Sequence, residues 1–327
     1  MTKKALVLIS GGLDSIISLN IIQKQGIECV GISFYSPFFS NKLPKEAKDK
    51  FNFEYHEIEV GDDYIDMLKN PPHGYGTSMN PCIDCKIYMM KKAKELMEKY
   101  NASFIVSGEV LGQRPMSQHK EALLEIERKS GLKGILVRPL SALYLEPTIP
   151  EIEGIIDRKK LLAIEGRGRK TQLGLINNFD NRDFSPVGGG CILTDKLFKK
   201  KFDDLVTNGD PTNLASLYIL KFGRHFRYGN SKIIVGRNKS ENESLIKYKN
   251  ENDYVLSLPN LPAPTVILQG EKSKEALKFA ADLLLYYSDS DSDTADIECI
   301  EGDNSKIIIK ANVLEKEMVD YHNIAID

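Results

Sequence analysis

Short apolar runs alternate with stretches of helical periodicity in the amino-terminal part of the chain, and this alternation is the strongest constraint on the fold. The predicted strands are residues 4–9, 27–34, 53–59, 103–106 and 135–137. The predicted helices are residues 13–25 and 83–100, and the Pro- and Gly-rich stretch 70–81 is a predicted loop. Strands that alternate with helices assemble into a parallel sheet. We therefore expect an α/β fold with a doubly wound parallel sheet.

The length and a change of pattern indicate two domains. The sequence has 327 residues, and a domain takes roughly 150. After about residue 205 the predicted strands are 232–235, 254–258, 265–268 and 306–310, and the predicted helix is 272–287. The acidic stretch 288–303 is predicted to be a solvated loop. We expect a first domain over 1–205 and a second, smaller α+β domain over 206–327.

The charges nearly balance, since 44 Lys and Arg against 46 Asp and Glu give a formal net charge of −2. This excludes a polybasic nucleic-acid binder, so any RNA contact must use a local basic cluster. One cluster is 158–170, with six basic residues and one acidic residue, and it is extended by Lys196, Lys199, Lys200 and Lys201. The alternative is an ordinary solvated face. No apolar run approaches the roughly 18 residues of a membrane helix, and we expect a cytoplasmic protein without membrane contact.

The segment Ser10-Gly11-Gly12-Leu13-Asp14-Ser15 falls between the first predicted strand and the first predicted helix. Glycines let backbone amides approach an oxyanion, and the helix N-terminus adds the positive end of a dipole. Ser10 and Ser15 offer hydroxyl donors, whereas the Asp14 carboxylate is suited to holding Mg²⁺ against phosphates. The simpler alternative is a glycine turn with a Ser or Asp helix cap.

This segment resembles, residue for residue, the Ser-Gly-Gly-x-Asp-Ser loop of the PP-loop ATP pyrophosphatases. Those enzymes cleave ATP between the α- and β-phosphates and adenylate an acceptor oxygen. The resemblance implies that ATP binds at Ser10, Gly11, Gly12, Asp14 and Ser15. Ser33 and Phe34, at the end of the second strand, would then lie beside the adenine.

A second motif follows the strand at 103–106. The residues are Gly108-Glu109-Val110-Leu111-Gly112-Gln113, then Ser117-Gln118, then Arg138-Pro139-Leu140. This series resembles the 4-thiouridine synthetase family, with Val110 in place of the usual Ser. The resemblance implies that Gly108 and Gln113 contact ATP and that Glu109, Ser117 and Gln118 position the base. Arg167, Arg169 and Lys170 would contact tRNA phosphate.

Residues 221–245 carry a third resemblance, to the small RNA-binding module of NFACT-type ribosome-rescue proteins. The matching residues are Gly223-Arg224-His225-Phe226-Arg227 and Val235-Gly236-Arg237-Asn238. It implies RNA contacts from Arg224, Arg227 and Arg237, whereas the simpler alternative is a strand and turn with surface arginines. Neither the N-terminal RNA-binding modules of the synthetase family nor its C-terminal sulfur-carrier domain is recognised, so we expect a short form of that family.

The five cysteines divide into two groups. Cys29 and Cys299 lie in apolar runs and are predicted to be buried and unreactive. Cys82 and Cys85 form a Cys-x-x-Cys at a helix N-terminus, where the dipole is expected to lower the thiol pKa, and Cys191 follows a glycine-rich turn. These three cysteines are the candidates for catalysis. The alternatives for them are a zinc site completed by His73, a redox dithiol with a persulfide, and incidental thiols without a role. The interpretation we favour is a 4Fe–4S cluster with one open iron, which resembles several tRNA thiolation enzymes of the PP-loop group.

Together these features predict a tRNA uridine sulfurtransferase with Asp14 and the three cysteines at its centre. By resemblance, the product is 4-thiouridine at tRNA position 8. The expected cofactors are ATP, Mg²⁺ and the cluster, and the expected partners are tRNA and a sulfur donor, either free sulfide or a cysteine desulfurase persulfide. A homodimer is a further candidate. The rivals are another PP-loop tRNA-modifying ligase, forming 2-thiouridine or an amidine, and an inactive RNA-binding protein.

Overall fold

The computed structural model describes residues 3–39, 52–175, 191–259, 261–301 and 305–326. The chain divides into two units, Met1–Thr194 and Asp195–Asp327. The division precedes the helix Lys196–Thr207, whereas the sequence analysis placed it at residue 205. The Lys201 ammonium donates to the carbonyls of Leu220 and Gly223, each at 3.2 Å, so this helix packs with the second unit.

A five-stranded sheet organises the first unit. Its strands are β1 (Lys4–Leu8), β2 (Glu28–Tyr35), β3 (Glu54–Glu59), β4 (Phe104–Ser107) and β5 (Leu136–Val137). Their order is β3-β2-β1-β4-β5, and every pair is parallel. Ala5, Leu6 and Val7 in the central strand are fully buried, as a strand covered on both faces requires. The predicted doubly wound parallel sheet is confirmed.

Six α-helices accompany this sheet within the described residues. They are α1 (Leu13–Gln23), α2 (Asp62–Lys69), α3 (Cys82–Lys99), α4 (Lys120–Ser130), α5 (Ile149–Ile152) and α6 (Lys170–Gly174). The sequence analysis did not predict α2, although Tyr64, Ile65 and Leu68 form its buried face. It also missed α4, which begins at a His119 cap and ends at Gly131 in the left-handed conformation.

The carboxyl edge of the sheet brings the sequence motifs together. Leu8 at the end of β1 is paired with Ser107 at the end of β4, so the loops that follow both strands start side by side. Helix α3 leads into β4, and in a parallel α/β sheet such a connecting helix begins at the carboxyl edge. The Cys82–Cys85 pair at the start of α3 therefore lies on the same edge as both loops.

A six-stranded antiparallel sheet organises the second unit. Its strands are β6 (Arg224–Tyr228), β7 (Ser231–Val235), β8 (Tyr254–Ser257), β9 (Val266–Gly270), β10 (Thr294–Ile300) and β11 (Lys306–Asn312), in the order β11-β10-β8-β9-β7-β6. Its helices are α7 (Lys196–Thr207), α8 (Leu214–Ile219), α9 (Lys239–Tyr248), α10 (Lys274–Tyr286) and α11 (Lys316–His322). Helix α10 buries Phe279, Leu283 and Leu284 in the same core as the sheet.

The prediction that 288–303 is a solvated loop is wrong, because part of it is strand β10, which pairs with β8 and β11. Ile297 and Cys299 are fully buried, Glu298 between them is partly buried, and Asp296 and Ile300 on either side are exposed. This alternation with a period of two is the signature of a half-buried strand, and the acidic composition concealed it. No helix in the described ranges is long and apolar enough to cross a membrane.

Candidate active site

The Ser10–Ser15 loop forms a tight turn that leads directly into helix α1. Gly11 has a φ of 71°, a conformation that favours glycine. The Ser15 hydroxyl donates to the Gly12 carbonyl at 2.8 Å and accepts from the Ser10 amide at 3.3 Å. Gly12 caps the helix without a side-chain hydrogen bond, so this N-terminus has amide donors available to an anion.

The loop after β4 contacts the Ser10–Ser15 loop directly. Gln113 Nε2 donates to Asp14 Oδ2 at 3.0 Å. A Cβ at Gly108 would lie 2.8 Å from the Asp14 carbonyl oxygen and 2.7 Å from the Ser15 amide nitrogen. Gly108 is therefore required for the close approach of two backbones, and the two sequence motifs form one site.

Several buried oxygens of this site lack donors. Asp14 Oδ1, Gln113 Oε1 and Gln118 Oε1 have no hydrogen-bond partner within the described part of the chain. Buried polar atoms are normally paired, so these acceptors are suited to a ligand that brings a cation or N–H groups. Oxygen ligands of this kind fit Mg²⁺, and Asp14 and Gln113 are the residues that could hold it.

Glu109 has a different environment from the one the sequence analysis predicted. Its carboxylate is 2% exposed, and it lies 3.1 Å from Arg138 Nε and 3.7 Å from Lys86 Nζ. Burial alone would raise the pKa of Glu109, but Lys86 and Arg138 outweigh it and hold the pKa below its ordinary value. Arg138 also binds Glu127 at 2.9 Å. Glu109 thus belongs to a buried ion-pair network that holds the loop, and this places its carboxylate against cations rather than a base.

The remaining predicted contacts from β2 and the second loop are buried. Ser33 is 1% exposed and Phe34 4%, so both side chains predicted to lie beside the adenine are buried. Ser117 and Gln118 are 3% and 5% exposed. The Gln118 carbonyl accepts from the Gly112 amide at 2.6 Å, so both residues lie within the folded loop after β4.

The three candidate cysteines come from two segments of the first unit, with Cys82 and Cys85 in the first turn of α3 and Cys191 in the second segment. Cys82 is the first residue of α3, and the Cys85 amide donates to the Pro81 carbonyl at 2.8 Å. Cys191 precedes a short 3₁₀ turn, Ile192–Thr194, whose Leu193 carbonyl accepts from the Met79 amide at 3.2 Å. This bond attaches the Cys191 segment to the loop before α3. The glycine-rich turn 186–190 lies outside the described residues.

The thiols influence one another electrostatically. The pKa of Cys85 is raised to about 11 and that of Cys191 to about 12, chiefly by burial, and negative charge on neighbouring thiols acts in the same direction. The expectation that the helix N-terminus lowers the pKa of Cys85 is therefore wrong, since burial outweighs the dipole. Cys85 and Cys191 are protonated at neutral pH, and a metal ligated by them would have to displace those protons.

His73 does not join the thiols. Its Nδ1 lies 2.7 Å from Asp84 Oδ1, and its backbone amide donates to Asp84 Oδ2 at 2.9 Å, which attaches the loop 70–81 to α3. Among the residues that the structure describes, no group of three or more His, Cys, Asp or Glu side chains is arranged to hold a metal ion. The zinc site with His73 has no support. Three thiols are chemically suited to an iron–sulfur cluster, although their positions here do not form a ready-made metal site.

Two hydrogen bonds from Asn80 link the Cys82 thiol to the loop after β4. Asn80 Nδ2 donates to Cys82 Sγ and to Met116 Sδ, each at 3.3 Å. Met116 belongs to the loop after β4 that also carries Gln113, the partner of Asp14. The thiol region and the Ser10–Ser15 loop are therefore connected through one loop of the first unit.

Sequence analysis missed two residues that contact the sulfurs, Asn80 and Tyr64. The Tyr64 hydroxyl donates to Cys85 Sγ at 3.3 Å from 21 residues away in the chain. Asn80 lies directly before Pro81-Cys82, so a local signal was present for it. For Tyr64 the only signal was the unpredicted helix α2, because a contact across this separation has no local pattern.

The basic cluster of the first unit lies beside the loop after β4. The Gly166 amide donates to the Leu111 carbonyl at 2.7 Å. Arg167 and Lys170 are exposed, and Arg169 is partly buried. The predicted phosphate-binding residues are therefore placed next to the candidate base-binding loop.

The three arginines of the second unit differ in their surroundings. Arg227 binds Asp204 at 2.5 Å and Asp210 at 2.6 Å with 15% of its side chain exposed, so two carboxylates already occupy it. Arg224 lies over the Tyr287 ring at 4.5 Å. Arg237 binds Glu241 at 2.5 Å but is 49% exposed. We assign Arg227 to holding this unit together, which leaves Arg224 and Arg237 as the accessible candidates.

Two family models match the chain. Residues 1–149 match the family described as Thiamine biosynthesis protein (ThiI), a match that includes the Ser10–Ser15 loop, the Cys82–Cys85 pair and the loop after β4. The amino-terminal part of the chain is therefore similar to this family over its first 149 residues. Residues 223–322 match the NFACT protein RNA binding domain. This second match covers strands β6 to β11 and helix α11.

Several known proteins are similar to the chain. A probable tRNA sulfurtransferase of Methanosarcina mazei is 27% identical over 202 residues, covering 50% of this chain and 48% of that protein. The tRNA-specific 2-thiouridylase MnmA of Petrotoga mobilis is 22% identical over 277 residues, covering 76% of this chain and 70% of that protein. The crystal structure of a 4-thiouridine synthetase–RNA complex with bound ATP aligns at a TM-score of 0.33, with 21% identity over 48% of this chain and 42% of that one. The chain thus spans about half the length of the sulfurtransferase it matches.

Proposed function

We propose that the chain is an ATP-dependent tRNA sulfurtransferase that adenylates a uracil carbonyl and replaces its oxygen with sulfur, forming 4-thiouridine at tRNA position 8. The proposal rests on a chain of hydrogen bonds that connects the Ser10–Ser15 loop, through the loop after β4, to the thiol of Cys82. Asp14 is bound by Gln113, and Met116 in the same loop shares the Asn80 amide with Cys82. The match to the ThiI family model and the sulfurtransferase relative support it.

The first step activates the base. The Ser10–Ser15 amides and hydroxyls bind the pyrophosphate part of ATP, and Asp14 with Gln113 holds Mg²⁺ against it. The uracil carbonyl oxygen attacks the α-phosphorus, a new P–O bond forms, and pyrophosphate leaves. This step is needed because a carbonyl oxygen is a poor leaving group, whereas AMP is a good one. Gln118, whose side-chain oxygen is buried without a partner in the described residues, is placed to accept an N–H group of the base or nucleotide.

The second step delivers sulfur. A hydrosulfide-level sulfur held at Cys82, Cys85 and Cys191 attacks the adenylated carbon, the C–S bond forms, and AMP leaves with the original oxygen. When bound, a 4Fe–4S cluster ligated by these three thiols would supply an open iron at which hydrosulfide is held. In the alternative form, one of the thiols carries the sulfur as a persulfide, whose outer sulfur attacks the carbon and displaces AMP. A second of the three thiols then attacks the inner sulfur and breaks the S–S bond, which releases the thiocarbonyl product and leaves a disulfide that an external thiol reduces before the next turnover. The donor is free sulfide in the first form and a cysteine desulfurase persulfide in the second.

The RNA is bound by local basic surfaces, since the net charge of the chain is −2. Arg167, Arg169 and Lys170 supply phosphate contacts beside the loop after β4. In the second unit, the match to an RNA-binding domain model supports contacts from Arg224 and Arg237. These cationic sites act on the tRNA backbone and carry no base specificity.

One observation favours a second candidate, the formation of 2-thiouridine. The 2-thiouridylase of Petrotoga mobilis matches more of this chain than the sulfurtransferase does, 76% against 50%. Both reactions adenylate a uracil carbonyl and displace AMP with sulfur, so the residue roles above are the same for both. The product identifies which of the two occurs.

The test is a reaction of anaerobically purified protein with unmodified tRNA, ATP, Mg²⁺ and sulfide, or with a desulfurase and cysteine in place of sulfide. We expect AMP, pyrophosphate and 4-thiouridine, with nucleosides identified by mass spectrometry. Asp14→Asn should lose all three products. The Cys82→Ser/Cys85→Ser/Cys191→Ser variant should lose the thionucleoside, whereas Cys299→Ala, at a buried thiol of the second unit, should retain it.

Other outcomes contradict the proposal. Detection of 2-thiouridine would replace the product with that of the second candidate. Base modification that survives in the triple cysteine variant would indicate an amidine-forming ligase, which does not need the thiols. Absence of AMP and pyrophosphate with tRNA and ATP would indicate an RNA-binding protein without catalysis.

A further inference from the structure

The loop after β4 carries an exposed cation between its two contacts with the candidate site. Arg114 directly follows Gln113, which binds Asp14. Two residues further on, Met116 shares its hydrogen-bond donor with Cys82. We propose that Arg114 is a further substrate-binding residue, whose guanidinium binds the α-phosphate of the adenylated uracil and of the AMP that leaves. This inference rests on the proposed function, because it assigns a partner to one phosphate of that reaction.

The guanidinium of Arg114 is available to a ligand. The residue is exposed, and no side chain in the described part of the chain forms a hydrogen bond or an ion pair with it. Other cations beside the candidate site differ in this respect, since Lys86 pairs with Glu109, and Arg138 pairs with Glu109 and Glu127. Arg114 thus retains its capacity to bind an anion.

The backbone of Arg114 is held in a tight turn. Its carbonyl accepts from the Gln118 amide at 3.1 Å, and the Gly112 amide donates to the Gln118 carbonyl at 2.6 Å. Gln118 is 5% exposed, so a buried side chain anchors the turn. Pro115 has a fixed φ and also restricts the backbone of the residue before it. A preorganised loop loses less conformational entropy when one of its side chains binds a ligand.

The proposed reaction determines which phosphate lies at this point. In the adenylated base, a single oxygen joins the α-phosphorus to the carbon that sulfur attacks. The α-phosphate must therefore lie between the thiols and the Ser10–Ser15 loop, to which we assign the pyrophosphate part of ATP. The loop after β4 reaches both groups, through Gln113 on one side and Met116 on the other. Arg114 lies between these two residues of the loop.

The charge of Arg114 also reaches the third cysteine. Burial is the largest influence on the pKa of Cys191 and raises it, whereas the positive charge of Arg114 acts to lower it. Interactions between charges are largely screened beyond about 10 Å, so the two groups are neighbours. Arginine keeps its charge throughout the physiological pH range, and anion binding by Arg114 therefore does not depend on the protonation of that thiol.

A guanidinium is well suited to this phosphate. Its planar N–H donors can bind two phosphate oxygens at once, and such charge-assisted hydrogen bonds are stronger than neutral ones. When sulfur displaces the nucleotide, the C–O bond breaks and its electron pair goes to AMP, so negative charge increases on the phosphate. Arg114 would stabilise that charge and remain protonated throughout the step.

The test compares AMP with adenosine, which differ only in the phosphate, as ligands of the full chain. Calorimetry gives the two dissociation constants, and their ratio is the readout. In Arg114→Gln we expect the affinity for AMP to fall by about tenfold to a hundredfold, as the loss of a charge-assisted hydrogen bond predicts, and the affinity for adenosine to stay the same. Arg114→Lys keeps the charge without the planar donors, and its affinity for AMP should lie between those of the natural chain and Arg114→Gln.

A matched control and a second ligand complete the design. Arg128→Gln removes an exposed arginine of the same unit, which pairs with Glu125, and should leave both constants unchanged. Binding of tRNA separates the α-phosphate from the phosphates of the tRNA backbone. Arg114→Gln should bind tRNA with the natural affinity and salt dependence, whereas loss of a backbone contact would reduce the slope of log K against log salt by about one.

An unchanged ratio in Arg114→Gln would overturn the inference, as would an equal change in Arg128→Gln or a natural chain that binds AMP no more tightly than adenosine. A reduced salt slope with an unchanged ratio would assign Arg114 to the tRNA backbone instead. A natural chain that binds neither AMP nor ATP would contradict the proposed function itself. Because Arg114 is exposed, the variants should fold, and equal melting temperatures establish this.

Discussion

Gln113 donates a hydrogen bond from its side-chain amide to the Asp14 carboxylate at 3.0 Å, and this bond joins residues 99 positions apart. It sets the direction of the carboxylate that we assign to Mg²⁺. The bond also couples the loop after β1 to the loop after β4, since each side chain extends from one of them. The nucleotide activation that we propose would thus depend on the geometry of both loops at once.

Removal of this bond should impair nucleotide activation more than folding. Gln113→Leu keeps the approximate volume but leaves Asp14 without its donor, and we expect the rate of tRNA-dependent pyrophosphate release to fall by about tenfold or more. Gln269→Leu is the matched control, because it removes a Gln–Asp hydrogen bond of 2.6 Å to Asp253 in the second unit. Equal rates for the two variants would contradict the assigned role of Gln113.

A side chain at Gly108 should separate the two loops. In Gly108→Ala, the new Cβ would lie within 2.8 Å of backbone atoms of Asp14, and neither backbone can yield without moving a strand end. We expect loss of ATP binding, measured by calorimetry, and a lower melting temperature. Gly174→Ala should have neither effect, since nothing lies within 4 Å of its added methyl group. Normal ATP affinity in Gly108→Ala would show that the close approach is not needed.

The buried ion pair of Arg138 with Glu109 should be costly to break. Arg138→Met leaves Glu109 without its guanidinium partner at 2% exposure, and removal of one partner of a buried pair costs about 3–5 kcal/mol. Arg128 is 64% exposed in its pair with Glu125, so Arg128→Met should lower the free energy of unfolding by about 1 kcal/mol or less. Urea unfolding gives both values. A similar cost for the two variants would mean that the Glu109 network does not stabilise the unit.

The second unit should become more stable in mild alkali, because the buried Lys232 side chain loses its proton there. Burial lowers the pKa of Lys232 to about 8, with Arg227 acting in the same direction, whereas Asp204 opposes them. Between this value and the ordinary lysine value of 10.5, the unfolded chain binds more protons than the folded chain, so stability rises with pH. Lys232→Met should be more stable than the natural chain near pH 7, and this advantage should decrease as the pH rises through 8.

The measurement is the difference in free energy of unfolding between the natural chain and Lys232→Met at each pH. The difference cancels the titration of other groups that the two proteins share. Lys306→Met, which removes an exposed lysine of the same unit, is the matched control for the loss of a lysine side chain. A flat profile for Lys232→Met would contradict the proton linkage.

Sequence reasoning was strongest where the pattern is local. The strand–loop–helix at Ser10–Ser15 and the Cys82–Cys85 pair were recognisable because all their residues are adjacent, and the parallel sheet followed from the alternation of elements. Strand β10 was missed because its acidic residues were interpreted as the composition of a solvated loop. They lie on the more exposed face of a strand in which buried and exposed residues alternate.

The partners of buried polar side chains could not be predicted. Glu109 was assigned to the base because its motif indicates function, yet its burial beside Arg138 is decided by pairing across 29 residues. Cys85 is a second example, because its burial raises the thiol pKa, whereas the helix dipole was expected to lower it. Tyr64 reaches this thiol only after α2 and α3 have packed together.

The position of Cys191 has a consequence for biosynthesis. The chain is made from its amino terminus, so the Ser10–Ser15 loop, Cys82 and Cys85 leave the ribosome long before Cys191 does. The Ile192 amide can bind the Phe38 carbonyl only after almost the entire first unit has been translated. A nascent chain would therefore present a two-cysteine pair first and gain its third thiol late, so an arrangement of all three thiols can form only at the end of this unit's synthesis.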